Sequence, residues 1–218
     1  MNIENYILNE IKIFNIKDKI RDLQEIFNET NYSHLPVENE GVYLGSISEA
    51  DVLTFDGDKT ITEYQYTLSG FFARESDHWL ETLQTFARNQ ANILPVLSAE
   101  NKYLGYLELN DILNCFNETS FLNETGGIIV LEKGIRDYSF SEIGQIIESH
   151  NAVLLGVFIS SKENDLTQIT IKLSSSGINE ILQTFRRYGY SVISEHQEDS
   201  FKRNLEDRSQ YLDKYLNI

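Results

Sequence analysis

The chain has only two prolines, and they sit in matching surroundings. Leu35-Pro36-Val37 recurs as Leu94-Pro95-Val96, an offset of 59 residues. Tyr43-Leu44-Gly45 then recurs as Tyr103-Leu104-Gly105, an offset of 60, and Asp51 and Leu53 recur as Asp111 and Leu113. The extra residue falls in the intervening turn, Glu38–Gly41 against Ser98–Lys102. A repeat kept in order and spacing is read before local propensity, because each copy then has to be one supersecondary unit that packs on its neighbour. Each copy predicts a helix (Ile20, Leu23, Ile26 and Phe27 on one face; Trp79, Leu83 and Phe86 in the second), a short apolar strand at the proline, a polar turn, a second strand and a helix opening at acidic residues. About sixty residues make a marginal domain alone, so the two copies should pack as a pair.

After Gly126-Gly127 the pattern changes. Residues 127–132, 152–160, 166–173 and 190–194 are β-rich. Apolar stripes at Phe140, Ile143, Ile146 and Ile147, and at Ile178, Ile181, Leu182 and Phe185, predict two helices between them. The order β-α-β-β-α-β in one compact stretch is the ferredoxin-like split βαβ arrangement. In residues 197–218, Phe201, Leu205, Leu212, Tyr215 and Leu216 recur near helical spacing and predict a helical tail that docks on its own chain or on a partner.

Composition narrows the function. Of 218 residues, 34 are acidic and 18 basic, a net charge of -16. Such a chain is a poor partner for nucleic-acid phosphates or an anionic membrane, and no segment approaches the ~20 apolar residues of a membrane span. The N-terminus lacks the basic-then-apolar pattern of a secretory signal, and the single cysteine, Cys115, precludes an internal disulfide, so a reducing cytoplasm is expected. Cys115 reads as helix packing. No catalytic constellation is present: the four histidines are scattered, and there is no Cys-x-x-Cys, no phosphate-binding loop with a lysine and no Gly-x-Ser-x-Gly elbow. The chain therefore reads as non-enzymatic, without a catalytic cofactor or metal.

The repeated Leu-Pro-Val, the Tyr-Leu-Gly that follows, and Ser48-Glu49-Ala50-Asp51 against Glu108-Leu109-Asn110-Asp111 resemble a tandem cystathionine-β-synthase (CBS) domain pair, or Bateman module. The second half, through Glu132–Phe140, resembles the ACT-like domain of CBS–ACT proteins of the acetoin-utilisation type. These resemblances imply an α+β chain: CBS domain 1 (residues 1–65), CBS domain 2 (66–122), a ferredoxin-like ACT-like βαββαβ domain (126–196) and a C-terminal helical tail (197–218). They also imply a regulatory sensor of an adenine nucleotide (AMP, ADP or ATP, the last with Mg²⁺) that forms a homodimer through the CBS pair and signals to a protein partner. The ligand-binding residues implied are Ser48 and Asp51, with Leu35 and Pro36 against the base, and Asp111 in the second copy.

In that resemblance Asp51 accepts from ribose hydroxyls and Ser48 donates to a phosphate at a helix opening; Ser-x-x-Asp is also a capping pattern. The second copy has Glu108 where the motif has Ser or Thr, and a carboxylate repels phosphate. Residues 1–125 hold 21 acidic and 8 basic side chains, which favours AMP or an adenosine-like ligand over ATP. Lys17, Lys19, Arg21, Arg74 and Arg88, with His78, are the cationic groups nearest the helices of each copy. ACT ligand loops carry a glycine near the first helix; Ser139 and Ser141 stand there instead. Two other readings follow: a constitutive interaction scaffold without a ligand, and an ACT-type amino-acid sensor.

Overall fold

The computed structural model describes residues 3–174 and 177–194. Contacts divide the chain into two units, Met1–Asn117 and Glu118–Ile218.

Unit 1 holds the repeat. The first copy runs β1 (Phe14–Asn15), α1 (Ile20–Glu29), β2 (His34–Asn39), β3 (Val42–Ser48) and α2 (Glu49–Val52). The second runs β4 (Ala73–Arg74), α3 (Trp79–Asn89), β5 (Ile93–Leu97), β6 (Tyr103–Glu108) and α4 (Leu109–Asn117). The sheets are ordered β1-β2-β3 and β4-β5-β6. Their registers repeat: Phe14 pairs with Val37 as Ala73 pairs with Val96, both in parallel. The first strand of each copy was not predicted. Two residues carry no period, and these strands exist only because β2 and β5 offer an open edge.

The turns explain the change of offset. Glu40 and Gly41 both take positive φ (51° and 80°) and join Asn39 to Val42 in a two-residue hairpin. In the second copy Ser98 to Lys102 form a longer turn in which the Ser98 hydroxyl accepts from the backbone amides of Glu100 and Lys102. The two closing helices also differ. α4 has nine residues but α2 only four, and the chain then turns at Asp56-Gly57-Asp58.

Each copy has its own core, as the apolar spacing requires. Ile20, Leu23 and Phe27 of α1 lie on Leu35, Val37 and Ile47; Phe86 of α3 lies with Leu94, Val96, Leu107, Ile112 and Cys115. The closing segments are exchanged. Ile3, which precedes the first copy, is fully buried in the core of the second, while Ile61 and Leu68, which precede the second, pack in the core of the first. Leu8 exchanges backbone hydrogen bonds with Tyr106 (2.8 and 2.9 Å), and Ser69 does so with Ser46 (2.9 Å each). Neither copy is complete without the chain that leads into the other.

Unit 2 runs α5 (Ser120–Asn123), β7 (Gly127–Gly134), α6 (Phe140–Ser149), β8 (Leu154–Glu163), β9 (Leu166–Leu173), α7 (Ile178–Arg187) and β10 (Ser191–Val192). All pairings are antiparallel, in the order β10-β7-β9-β8. Ile129 and Leu131 of β7 and Ile169, Ile171 and Leu173 of β9 alternate onto one face, where Ile143, Ile147, Ile181 and Phe185 of the helices cover them. Phe121 of α5 packs on Phe158 of β8, with ring centroids 5.6 Å apart. The predicted helical tail, with Phe201, Leu205, Leu212, Tyr215 and Leu216, lies outside the described residues.

Candidate functional site

The two copies meet along a seam held by equivalent residues. The Ser33 amide donates to Asn92 Oδ1 (2.8 Å), and the Asn92 amide donates to Ser33 Oγ (2.9 Å). Ser33 and Asn92 are 59 residues apart, the offset of the repeat. Their carbonyls accept, at 2.9 Å each, from the amides of Glu49 and Leu109, the first residues of α2 and α4. The seam thus places the helix openings, and with them Ser48 and Glu108, at equivalent positions.

At the first opening Ser48 is the N-cap of α2. Its Oγ accepts from the Asp51 amide (3.1 Å) and donates to Asp51 Oδ2 (2.6 Å). Ser48 and Asp51 are therefore together, but bonded to each other. His34 pairs with Ser48 across β2 and β3 and stacks edge-on to Phe71. Burial lowers its pKa, and the negative charge of Asp51 opposes that shift. Leu35 has no exposed surface and belongs to the first core, while Pro36 is buried opposite Ser46. Asp111 lies in the first turn of α4.

At the second opening a cavity of about 470 Å³ is lined by residues 30–32 of the α1–β2 turn, by Asn92, and by Glu108, Leu109 and Asn110. Asp111 is the next residue along α4. This volume suits a small organic ligand. The Tyr32 hydroxyl donates to Glu108 Oε1 (3.3 Å) and lies 3.3 Å from the Tyr106 hydroxyl. Asn92 Nδ2 donates to the Asn31 carbonyl (2.6 Å), so the first copy holds both ends of this amide. Sequence reasoning missed Tyr32 and Asn92; the signal was the equivalence of Ser33 and Asn92 immediately before the repeated strands.

Three of the cationic candidates are committed elsewhere. Arg74 donates to the Ser98 carbonyl and to Asn101 Oδ1 (2.6 Å) and lies over the Phe72 ring. His78 caps α3, accepting from the Leu80 amide while Glu81 reaches back to its own amide. Arg21 pairs with Asp58. Among the described residues no group of three or more His, Cys, Asp or Glu side chains is placed to hold a metal ion, and no helix is long and apolar enough to cross a membrane.

In unit 2 the loop from β7 to α6 is bound to itself. Lys133 Nζ donates to Glu142 Oε2 (3.1 Å) and to the Tyr188 carbonyl (3.0 Å), and sits 4.0 Å from the centre of the Tyr190 ring. Ser139 caps α6 through the Glu142 amide, and its own amide donates to the Tyr190 hydroxyl (3.3 Å). The hydrogen bond from Tyr190, and then Lys133, lower the Glu142 pKa.

Buried phenols make unit 1 sensitive to alkali. The Tyr43 hydroxyl donates to the Phe71 carbonyl (2.8 Å) and lies 2.9 Å from Ser46 Oγ. Burial pushes its pKa up to about 12, against the hydrogen bond with Ser46; burial also raises Tyr103 and Tyr106. In the unfolded chain these phenols ionise near pH 10, so that chain loses protons first. Stability is therefore intact below about pH 10 and falls as pH rises towards 12. Denaturation between pH ~9 and ~11.5, followed by the fluorescence of the sole tryptophan, Trp79, should show this decline, with a shallower slope in Tyr43→Phe. A flat profile through pH ~11 would refute the assignment.

The family model of the CBS domain matches residues 3–58. Because residues 73–117 repeat its elements in the same order and register, unit 1 is a CBS domain pair. No curated protein matches the chain. Solved structures similar to it include a CBS domain pair/ACT domain protein from Thermotoga maritima, 21% identical, covering 54% of this chain and 98% of that one, with a TM-score of 0.49. The CBS domains of a transcriptional regulator from Streptococcus pneumoniae are 18% identical over 52% of this chain and 98% of that one (TM-score 0.47). CBSX2, solved in complex with AMP, is 16% identical over 53% of this chain and 95% of that one (TM-score 0.44).

Proposed function

We propose that this chain is a non-enzymatic regulatory protein whose CBS pair senses an adenine nucleotide. The observation that carries the reading is the seam: both helix openings meet there, and a cavity of ligand size lies at one of them. A ligand at the seam touches both copies, so its binding couples to their relative placement, and differential affinity for two placements is what a switch requires. In the first copy, Asp51 would hold the ribose and Ser48 the phosphate, with Pro36 beneath the base; Leu35, fully buried in the first core, would support Pro36 from within rather than touch the base. Binding has to open the Ser48–Asp51 hydrogen bond. Asp111 would be the ribose acceptor of the second copy. AMP fits the acidic surroundings better than ATP, which would bring Mg²⁺.

The same reading takes residues 1–65 and 66–122 as the two CBS domains, 126–196 as an ACT-like ferredoxin-like domain, and a cytoplasmic homodimer built on the pair. The β-α-β-β-α-β order and the sheet order β10-β7-β9-β8 support the ACT-like assignment. Lys133, held by Glu142, Tyr188 and Tyr190, speaks against an amino-acid ligand in that loop. The closed Ser48–Asp51 pair favours a second reading, a scaffold that keeps the fold without a ligand.

Thermal unfolding with AMP, ADP and ATP separates the two. A ligand at a hundred times its Kd stabilises by ~2.7 kcal/mol. The sensor reading expects a shift with AMP that disappears in Asp51→Ala. No shift with any of the three nucleotides would leave the scaffold.

A further inference from the structure

The sheet of unit 2 has two faces, and its helices cover one of them. A face left to water should carry polar side chains, but this one has an apolar band. Phe158 pairs with Thr170 across β8 and β9, and Thr170 pairs with Val130 across β9 and β7. The Ile193 amide donates to the Val130 carbonyl (2.8 Å), and Ile193 faces away from the core that its neighbour Val192 enters. Ile128 lies beside Val130 on the same face of β7. Ile128, Phe158 and Ile193 are 48%, 46% and 47% exposed. Glu132, which accepts from Gln168 (3.2 Å), borders the band on one side, and Lys172, paired with Ile128, on the other.

The two ends of the band differ. At β8, Phe121 of α5 lies on Phe158 and against Gly156. At β7 and β10 the described residues leave Ile128 and Ile193 exposed, and this is where the chain leaves the sheet. Ser194 Oγ accepts from the Val130 amide (3.0 Å), so residue 195 starts beside the band. Residues 195–218 lie outside the described residues, and their sequence fits the space. At a helical period, Phe201, Leu205, Leu212, Tyr215 and Leu216 fall within an arc of about 100°, and Arg208 is the one charged residue among them. A helix over 201–216 is about 24 Å long, and the outer strands of a four-stranded sheet lie about 14 Å apart. Residues 195–200 reach up to about 20 Å. We propose that residues 201–216 form a helix that covers this face of their own chain, with the apolar stripe on Ile128, Val130 and Ile193 and with Glu132 as the acid that meets Arg208. The assignment is independent of what the CBS pair binds.

The test is hydrogen exchange, read by mass spectrometry on the full chain, with two double variants. Ile128→Ser/Ile193→Ser makes the face polar, and Leu205→Ser/Leu212→Ser does the same to the stripe while leaving the cores of both units untouched. In the wild type the amides of 201–216 should exchange about tenfold or more slower than those of an unfolded chain. Each double variant should abolish that protection and leave α6, α7 and β9 protected as before, which separates loss of docking from loss of the fold. The stripe variant uncovers the face, so the apolar dye ANS should bind it more brightly than it binds the wild type. Co-expression of the two double variants tells the chain's own tail from that of a second copy: a tail that crosses between copies regains protection in the mixed assembly, and one seated on its own sheet does not. Unprotected amides over 201–216 in the wild type would overturn the assignment. So would protection that survives Ile128→Ser/Ile193→Ser, no gain in ANS binding by the stripe variant, or protection regained on co-expression, which would give the face to a second copy.

Discussion

Gly105→Ala is expected to lower the stability of the CBS pair by about 3 kcal/mol or more, well beyond the effect of Gly45→Ala. Both glycines hold φ near +150°, a region L residues avoid (152° at Gly45, 147° at Gly105). Backbone strain is therefore common to the two substitutions. They differ in what the new methyl group would meet. At Gly45 it lies 3.1 Å from Leu68 Cβ and from the Ser69 carbonyl oxygen, a tight contact that small shifts relieve. At Gly105 it runs into the Leu8 carbonyl oxygen and the Asn9 side chain and comes within 2.7 Å of Ile7 Cγ2. Leu8 cannot retreat without giving up both backbone hydrogen bonds to Tyr106, and Ile3, just upstream, fills the second core. The substitution thus undoes the exchange that completes the second copy. Chemical denaturation followed by Trp79, which is buried in that core, reads this unit directly. A loss below about 1 kcal/mol, or one equal to that of Gly45→Ala, would show that the leading segment does not hold the pair together.

Leu35→Ala should cost about 3 kcal/mol and leave any nucleotide-induced stabilisation unchanged in size. Leu35 is 0% exposed and packs with Leu23, Phe27, Val37 and Ile47, so truncation leaves a cavity that rigid neighbours only partly fill. A side chain this enclosed reaches a base at the seam only if the first core opens. The variant therefore separates two roles that the Leu-Pro-Val repeat leaves superimposed. A small loss of stability with a lost AMP shift would assign Leu35 to the ligand; a large loss with the shift intact assigns it to the core, and Pro36 alone would then face the base. Both measurements belong on one protein preparation with the same Trp79 signal.

Much of this was legible in the residues. The doubled Leu-Pro-Val and Tyr-Leu-Gly, kept at offsets of 59 and 60, required two like units in a pair, and apolar spacing placed α1, α3, α6 and α7 and the long strands. Those signals are local: a face buried along a helix or strand writes its period into consecutive residues. The unlike pair Ser48 and Glu108 was visible in the same way, since it needs only the register of the repeat.

Other features were decided by tertiary structure. β1 and β4 are two residues each, too short for any period, and form because a parallel edge is open beside them. The crossing of Ile3–Leu8 onto the second copy, and of Ile61–Ser69 onto the first, depends on contacts between residues far apart in the chain. Tyr32 lies 60 and 76 positions from Asn92 and Glu108, in the other copy, yet the three share one cavity wall. Composition records that the chain is acidic; only the packing of the two copies decides that Glu108 accepts from Tyr32 at the cavity wall, while Asp51 binds Ser48 and Glu81 binds the His78 amide at helix openings. The physical reason is the same in each case: a sequence writes down which faces must leave water, and the meeting of those faces determines which polar groups are left facing one another across a space.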